Sequence, residues 1–285
     1  MRTRTIAPGV DIPVLGLGVY QTNPGVTERV VREAIDVGYR LLDTAQYYRN
    51  EDAVGRAVRA AVADGVARED LFVTTKLYSS GYRAGVRSIE DSLRALDVDV
   101  IDLLLIHWPV GDDAGTWRAL KEAVGAGRVR AIGLSNFYGR ELAEIVQSAS
   151  IPPAVDQVEQ SVRYQQRRLR PVLDAAGIAM ESWSPLGSTG ASVLREPVLA
   201  EIASAHSDQG ATPAQVALAF QVATGVLTIP KTTHRERMVE NLAAADLVLS
   251  EEELARVAAL DTGRGSGWPG HAEQDYRPAD YPFER

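Results

Sequence analysis

The feature that most constrains this chain is an eightfold alternation of short apolar runs with segments of helical periodicity. The apolar runs, which we interpret as buried strands, cover Val14–Val19, Tyr39–Asp43, Leu71–Lys76, Ile101–His107, Val129–Gly133, Ala154–Gln157, Ile178–Ser182 and Val226–Ile229. Such an alternation predicts parallel βα units joined by right-handed crossovers. Eight units can close a (β/α)8 TIM barrel, and residues 1–285 suffice for one such domain. We therefore predict an α/β protein with this fold.

Helical spacing fills the intervals between the predicted strands. The predicted helices cover Thr27–Val37, Glu51–Ala63, Arg83–Ala95, Ala114–Ala126, Arg140–Ser148, Gln166–Ala175, Pro213–Ala223 and Arg235–Ala244. Residues 2–13 predict an N-terminal hairpin, Gly187–Asp208 form an insertion, and residues 250–260 predict an extra helix. The tail from Thr262 onward predicts a C-terminal loop over the mouth of the barrel.

An open doubly wound sheet is the alternative fold. Its dinucleotide fingerprint needs a third glycine, but Gly16-Leu17-Gly18 continues to Gln21 at that position.

Composition excludes several classes of function. The net charge of −8 lacks the basic footprint that nucleic-acid binding needs. No apolar run approaches the roughly 20 residues of a membrane span, and no signal peptide is evident. The absence of cysteine excludes disulfides and sulfur-ligated metal sites, and it fits a reducing compartment. We expect a soluble, cytoplasmic protein without a metal, a nucleic-acid partner or a membrane partner.

Ionisable residues end three successive predicted strands. They are Asp43, Lys76 and His107, and Tyr48 follows Asp43 in the next loop. The active sites of TIM barrels lie at the carboxyl ends of the strands, so these groups should converge. Lys76 is notable because only Lys76, Lys121 and Lys231 among the 30 basic residues are lysines. Lysine differs from arginine in its compact ammonium group and in its easier deprotonation, so Lys76 marks a position where these properties matter.

These four groups together suit proton donation to a carbonyl oxygen. A tyrosine has an ordinary pKa near 10, and a neighbouring ammonium such as that of Lys76 should lower it. Asp43 would keep the lysine charged, and His107 could orient the carbonyl by a hydrogen bond. Such a set supplies no hydride, so the reduction of a carbonyl would need a cofactor.

At these residues the chain resembles the aldo-keto reductase family. The motifs that carry the resemblance are Gly38-Tyr39-Arg40-Leu41-Leu42-Asp43-Thr44-Ala45-Gln46-Tyr47-Tyr48, Phe72-Val73-Thr74-Thr75-Lys76-Leu77, Asp102-Leu103-Leu104-Leu105-Ile106-His107-Trp108-Pro109, Gly133-Leu134-Ser135-Asn136-Phe137, Trp183-Ser184-Pro185-Leu186-Gly187 and Ile229-Pro230-Lys231-Thr232. They run in the family order from Gly16 to about Asp261. The resemblance implies reduction of aldehydes or ketones to alcohols, a small-molecule carbonyl substrate and a monomeric protein.

The resemblance also implies roles for individual residues. Asp43, Tyr48, Lys76 and His107 would form the catalytic tetrad, with Tyr48 as the general acid. The residues that would bind the cofactor NADPH (as NADP⁺ after reaction) are Ser135, Asn136, Gln157, Trp183, Ser184, Leu186, Gly187, Lys231, Thr232, Arg237, Glu240 and Asn241. Lys231, Thr232 and Arg237 would hold the 2′-phosphate, which favours NADPH over NADH.

Two departures from the family pattern concern the cofactor region. Trp183 replaces the usual stacking tyrosine, and Asp156 replaces the asparagine that often precedes Gln157. On the substrate side, aromatic residues on predicted strand-end loops and in the tail suggest a pocket wall for apolar or aromatic carbonyls. These residues are Tyr20, Tyr47, Tyr78, Trp108 and Trp268.

Two other functions remain open from the sequence. One is a regulatory or sensor protein that binds a nicotinamide cofactor without chemistry, although such a protein would not need an intact tetrad. The other is a metal-dependent barrel hydrolase, which neither a His-x-His pair nor a carboxylate-rich strand end supports.

Overall fold

The computed structural model describes residues 2–187 and 193–266. The strands are β1 (Thr3–Ala7), β2 (Val10–Pro13), β3 (Leu17–Gly18), β4 (Leu41–Asp43), β5 (Phe72–Leu77), β6 (Ile101–Ile106), β7 (Val129–Ser135), β8 (Val155–Glu159), β9 (Ala179–Trp183) and β10 (Leu227–Thr228). The α-helices are α1 (Pro24–Val37), α2 (Glu51–Ala63), α3 (Tyr82–Leu96), α4 (Asp113–Gly125), α5 (Gly139–Ser148), α6 (Leu169–Ala176), α7 (Pro197–Ala205), α8 (Pro213–Ala223), α9 (Arg235–Ala243) and α10 (Glu251–Ala258). Short 3-10 helices cover Gln46–Tyr48, Arg68–Asp70, Val193–Arg195 and Ser207–Gln209.

Strands β3 to β10 form one parallel sheet in sequence order. Its two edges meet through a parallel bridge between Leu15 and Thr228, and the Gly16 amide donates to the Thr228 carbonyl at 2.9 Å. The sheet therefore closes on itself, and helices follow the strands on the outside. Each of the eight predicted apolar runs overlaps a strand of this sheet, which confirms the (β/α)8 barrel and excludes the open doubly wound alternative.

The barrel has an apolar floor supplied by the N-terminal hairpin. Strands β1 and β2 pair in antiparallel fashion, as the sequence predicted. The buried Val10 and Ile12 of the hairpin pack against Leu41, Phe72 and Leu103, which lie at or near the amino ends of their strands. The hairpin thus covers the end of the barrel opposite the carboxyl ends of the strands.

Side chains alternate between the barrel interior and the outer layer, as in any strand. On β8, Val155 belongs to the interior cluster, whereas Val158 belongs to the cluster between sheet and helices. The same parity applies to β4, where Leu41 faces inward and Leu42 faces outward. Two positions further along a strand, the next inward side chain lies in the barrel interior nearer the carboxyl ends of the strands.

The insertion and the tail differ in how well the sequence predicted them. The predicted extra helix is α10, which begins with a capping box at Ser250. The insertion after β9 contains α7, an element that the sequence analysis did not resolve, although Pro197 at its first turn is a start signal. Ser266 is the last described residue, so only residues 262–266 of the predicted loop are described, and Trp268 lies outside the described part. Within that part no helix is long and apolar enough to cross a membrane.

Candidate active site

Three of the four predicted tetrad residues are placed by strand parity at one end of the barrel. Asp43 is the last residue of β4, Lys76 lies near the end of β5, and His107 follows β6 directly. The parity of each strand turns these side chains inward, and all three are buried. The structure thus brings together residues that are 33 and 31 positions apart in the chain.

Lys76 is fully buried and uses its ammonium group to join the site. Its Nζ donates to Oδ1 of Asp43 at 2.6 Å, to the carbonyl oxygen of Thr44 at 2.9 Å and to the hydroxyl of Tyr48 at 3.3 Å. These three acceptors match the three hydrogens of an ammonium. Tyr48 reaches the site from the 3-10 helix Gln46–Tyr48, which follows β4 closely.

Burial and charge act in opposite directions on these groups. Burial lowers the pKa of Lys76, but the Asp43 carboxylate and Tyr48 together raise it by more, so Lys76 keeps its proton. Burial raises the pKa of Asp43 against the opposing effects of Lys76 and Gln157. Burial also raises the pKa of Tyr48 to about 12, because the lowering by Lys76 is smaller. Lys76 thus lowers the pKa of Tyr48 as predicted, but burial, which the sequence did not reveal, outweighs this effect. Tyr48 is a fully protonated phenol at neutral pH.

His107 lies beside the phenol as a neutral imidazole. Its ring centroid is 5.6 Å from that of Tyr48, and the two rings are nearly perpendicular at 77°. Burial, together with the charge of Lys76, lowers the pKa of His107 to about 3. Its Nδ1 is buried without a hydrogen-bond partner within residues 2–187 and 193–266. A neutral imidazole keeps one N–H that can donate to a substrate oxygen.

Asn136 ties three strand ends together beside the tetrad. Its Nδ2 donates to the carbonyl oxygen of His107 at 3.1 Å and to Oγ of Ser135 at 2.9 Å. Its Oδ1 accepts from the indole Nε1 of Trp183 at 2.9 Å. Asn136 has a left-handed backbone with φ of 62°, a conformation that asparagine tolerates better than most residues. The indole of Trp183, which is half-buried, is thereby held at the end of β9.

Gln157 connects the tetrad to a second carboxyl group. Its Nε2 donates to Oδ2 of Asp43 at 2.8 Å and to Oε2 of Glu181 at 2.7 Å. Because both amide hydrogens are engaged in this way, only its carbonyl oxygen could face a bound carboxamide. Burial, and then the charge of Asp43, raise the pKa of Glu181 to about 7.

The remaining predicted cofactor residues follow β9 and β10. Ser184 and Gly187 close a turn in which the Gly187 amide donates to the Ser184 carbonyl at 2.8 Å, and Leu186 lies half-buried within it. Past β10, Lys231 is exposed, whereas Thr232 is buried and its Oγ1 accepts from the amide of His234.

The predicted adenosine residues lie on α9. Arg237 is exposed, and Asn241 is buried. The carboxylate of Glu240 accepts from Oγ1 of Thr212 at 2.6 Å, so this side chain already supports the start of α8.

Aromatic side chains surround His107 at the mouth of the barrel. The rings of Tyr47 and Tyr78 lie 6.2 Å and 6.4 Å from the imidazole, and Trp108 stacks on it at 6.1 Å. Tyr20 contacts the ring of Tyr48 at 5.0 Å. Tyr20, Tyr47 and Tyr78 are 45%, 62% and 54% exposed, so their rings are accessible to a ligand.

Comparison with known proteins assigns the chain to a family. The model of the Aldo/keto reductase family matches residues 15–262, which is most of the chain. This chain is an aldo/keto reductase. Membership makes it an oxidoreductase that reduces carbonyl compounds. The glyoxal reductase of Bacillus subtilis is 41% identical over 258 residues, covering 89% of this chain and 90% of that protein.

Two further aldo/keto reductases are similar to this chain in sequence or in structure. A protein of Yersinia pestis named methylglyoxal reductase is 38% identical over 259 residues, covering 90% of this chain and 91% of its own. A crystal structure of a Bombyx mori aldo-keto reductase in complex with NADP superimposes with a TM-score of 0.85 at 29% identity. That match covers 92% of this chain and 94% of the other.

Sequence reasoning missed one residue of this aldo/keto reductase site, Glu181. The available signal was parity, since Glu181 lies two positions before Trp183 and therefore faces the same way. A carboxyl group in the interior of a strand that is otherwise buried is unusual and points to a specific role.

Proposed function

We propose that this aldo/keto reductase uses NADPH to reduce small aldehydes and ketones, with Tyr48 as the proton donor. The observation that carries the proposal is the Tyr48 hydroxyl, which lies 3.3 Å from the Lys76 ammonium and beside the neutral His107 at an accessible mouth. A bound reduced nicotinamide supplies a hydride to the carbonyl carbon. The residues of this chain must then deliver one proton to the carbonyl oxygen.

In the proposed reaction each tetrad residue has a separate task. The N–H of His107 orients the carbonyl oxygen toward the Tyr48 hydroxyl. As negative charge develops on that oxygen, the phenol donates its proton and Lys76 stabilises the phenolate that remains. Asp43 keeps Lys76 charged, because an unpaired buried ammonium would lose its proton. The product is an alcohol, and a proton from water restores Tyr48.

The residues near the tetrad fit a dinucleotide. The indole of Trp183, fixed by Asn136, offers a flat aromatic face, and Ser135 and the carbonyl oxygen of Gln157 could bind the carboxamide. The turn Ser184–Gly187 with Leu186 would lie along the pyrophosphate. Exposed Lys231 and Arg237 offer positive charge to a 2′-phosphate, which Thr232 would also contact. Glu240 and Asn241 would border the adenine.

The substrate class follows from the aromatic mouth. Tyr20, Tyr47, Tyr78 and Trp108 offer ring faces rather than charges, which suits small apolar or aromatic carbonyl compounds. The relatives named glyoxal reductase and methylglyoxal reductase add 2-oxoaldehydes to this class.

The test is turnover of purified protein with NADPH and a panel of glyoxal, methylglyoxal, an aromatic aldehyde and a ketone. We expect loss of the reduced-nicotinamide absorbance with at least one aldehyde. Binding of NADPH without turnover of any carbonyl would overturn the proposal and favour the sensor alternative.

A further inference from the structure

A second carboxyl group lies inside the barrel, on the far side of Gln157 from the tetrad. Glu181 of β9 is fully buried, and its Oε2 accepts the hydrogen bond from Gln157 described above. Its Oε1 is buried without a hydrogen-bond partner among the described residues. The proposed reaction gives this group no task, yet an isolated carboxylate is costly to bury.

The contacts around Glu181 form a continuous path to the proton donor. They run from the hydroxyl of Tyr48 to Nζ of Lys76, to the carboxylate of Asp43, to the amide of Gln157 and to Glu181. Each contact measures between 2.6 Å and 3.3 Å. A change at Glu181 is therefore transmitted to the phenol through groups that touch one another.

The charges facing Glu181 are unequal in number. Asp43 faces it from β4 and Lys76 from β5, and both act on its ionisation. Its partners in register on the neighbouring strands are Gln157 and Leu227, which are uncharged. One cation thus serves two carboxyl groups, so full ionisation leaves a net charge of −1 on three side chains that are at most 2% exposed. The cost of that charge is relieved when one carboxyl holds a proton.

We infer that Glu181 is a positioning residue that sets the pH dependence of proton donation by Tyr48. Through Gln157 it fixes the Asp43 carboxylate, and the gain or loss of its proton changes the negative potential at Lys76 and Tyr48. Ionised Glu181 holds the phenolic proton more tightly, so donation to the substrate slows. The inference rests on the proposed function of Tyr48.

The pKa of Glu181 places this change within the working range of an enzyme. Burial first, and then the Asp43 charge, raise that pKa to about 7. Protonated Glu181 prevails on the acid side and ionised Glu181 on the alkaline side. We expect kcat for carbonyl reduction to fall roughly three- to tenfold between about pH 6 and pH 8, as an added charge several ångströms away would cause.

The decisive variant is Glu181→Gln, which keeps the size of the side chain and its acceptor for Gln157 but cannot ionise. We expect a flat profile between about pH 6 and pH 8, with kcat near the acid-side value of the wild type. Glu181→Met provides a second non-ionising variant if the glutamine protein folds poorly. Circular dichroism establishes folding before any profile is compared.

Asp156→Asn is the matched control. Asp156 is also a fully buried carboxyl whose pKa burial raises, and it lies next to Gln157 on β8, but strand parity turns it to the outer layer, where it acts on the ionisation of Tyr138. This variant removes a buried carboxyl without touching the path to Tyr48. We expect it to keep the pH profile of the wild type.

Infrared spectroscopy gives a readout that does not depend on turnover. The band assigned to Glu181 is a protonated carboxyl band that titrates near neutral pH in the wild type, remains in Asp156→Asn and is lost in Glu181→Gln. Burial raises the pKa of Asp156 as well, so any band of that carboxyl is the one lost in Asp156→Asn. Turnover with identical pH profiles in wild type and Glu181→Gln would overturn the inference and leave the proposed function intact. Absence of turnover in the wild type would overturn the proposed function, and absence of the titrating band would overturn the assignment of Glu181 by itself.

Discussion

At the scale of single residues, burial determines the protonation state of the groups in the site. The pKa of His107 is lowered to about 3 and that of Tyr48 is raised to about 12, so both are neutral over the whole neutral range. Within the tetrad, Lys76 carries the positive charge, and Asp43 balances it. The tetrad therefore presents a neutral donor beside the Lys76–Asp43 ion pair, which suits a proton that moves only when the substrate oxygen becomes negative.

Replacement of the phenol tests this division of tasks. Tyr48→Phe removes only the hydroxyl, so we expect kcat for carbonyl reduction to fall roughly 10²- to 10⁴-fold. The dissociation constant for NADPH, measured by fluorescence titration, should stay close to that of the wild type. Turnover near the wild-type rate would refute the role of Tyr48.

The choice of cofactor can be tested at Lys231. Lys231→Gly removes an exposed ammonium, and we expect binding of NADPH to weaken roughly tenfold or more while binding of NADH hardly changes. Fluorescence titration with both dinucleotides measures the difference. Lys121→Gly removes the same charge from α4, where Lys121 contacts Ser150, and should alter neither affinity. Equal losses for both cofactors in Lys231→Gly would contradict a phosphate contact.

The site was only partly predictable at this scale. Asp43, Lys76 and His107 could be found from sequence because each ends a run of apolar residues, and parallel strands align their carboxyl ends. Glu181 was not identified from the sequence, because a single acidic residue within a strand is expected to face outward until the register of the strand is known. The effect of Lys76 on the pKa of Tyr48 could be predicted, but the larger effect of burial could not, because the depth of burial is a property of the assembled barrel.

At the scale of elements, the packing of helices on the barrel depends on small residues at close contacts. Gly55 of α2 lies against the end of α3, where a Cβ atom would come within 2.0 Å of the backbone oxygen of Leu96. Neither backbone can yield easily there, because each is held in its own helix. The contact explains why this position of α2 carries glycine despite its poor helix propensity.

We expect Gly55→Ala to lower the free energy of unfolding by about 2 kcal/mol or more, because the methyl group must push the helices apart. Urea denaturation followed by circular dichroism measures the change. Gly125→Ala in α4 is the control, since a Cβ atom there would meet nothing within 4 Å. It should be neutral or stabilise the protein by up to about 1 kcal/mol. Equal stabilities of the two variants would show that the close approach is not limiting.

The presence of each strand was predicted better than its first and last residues. Buried parallel strands are apolar on both faces, so their sequences stand out as continuous runs. The first of these, predicted over Val14–Val19, has only Leu17–Gly18 as a regular strand, because Leu15 meets Thr228 in a single bridge where the barrel closes. Closure depends on two strands far apart in the chain, and local pattern does not reveal it.

At the scale of the whole molecule, the two ends of the barrel have different roles. The carboxyl ends of the strands hold the tetrad, whereas the amino ends hold Asp102 beside a groove of about 1100 Å³. The buried carboxylate of Asp102 accepts from Arg68 and Arg130 at 2.8 Å and from the amide of Val73 at 2.9 Å. These contacts join the starts of β5, β6 and β7, so we assign them to stability.

Asp102→Asn should separate stability from function. Both guanidinium groups are about one-third exposed and water screens them, so we expect a loss of only about 1–3 kcal/mol in the free energy of unfolding. The KM values for NADPH and for the carbonyl substrate should not change. Arg140→Ala, which breaks an exposed ion pair with Glu144, should change neither quantity. A large change in either KM for Asp102→Asn would show that the two ends are coupled.

The hairpin that covers the amino end also governs how the interior exchanges with its surroundings. Because Val10 and Ile12 are buried in that packing, we expect the carboxyl of Glu181 to exchange protons with solvent through the opposite end of the barrel, where the tetrad lies. A dinucleotide bound at the carboxyl ends of the strands would block this route. We therefore expect hydrogen exchange at the carboxyl of Glu181 to be slower when that end of the barrel is occupied than when it is free.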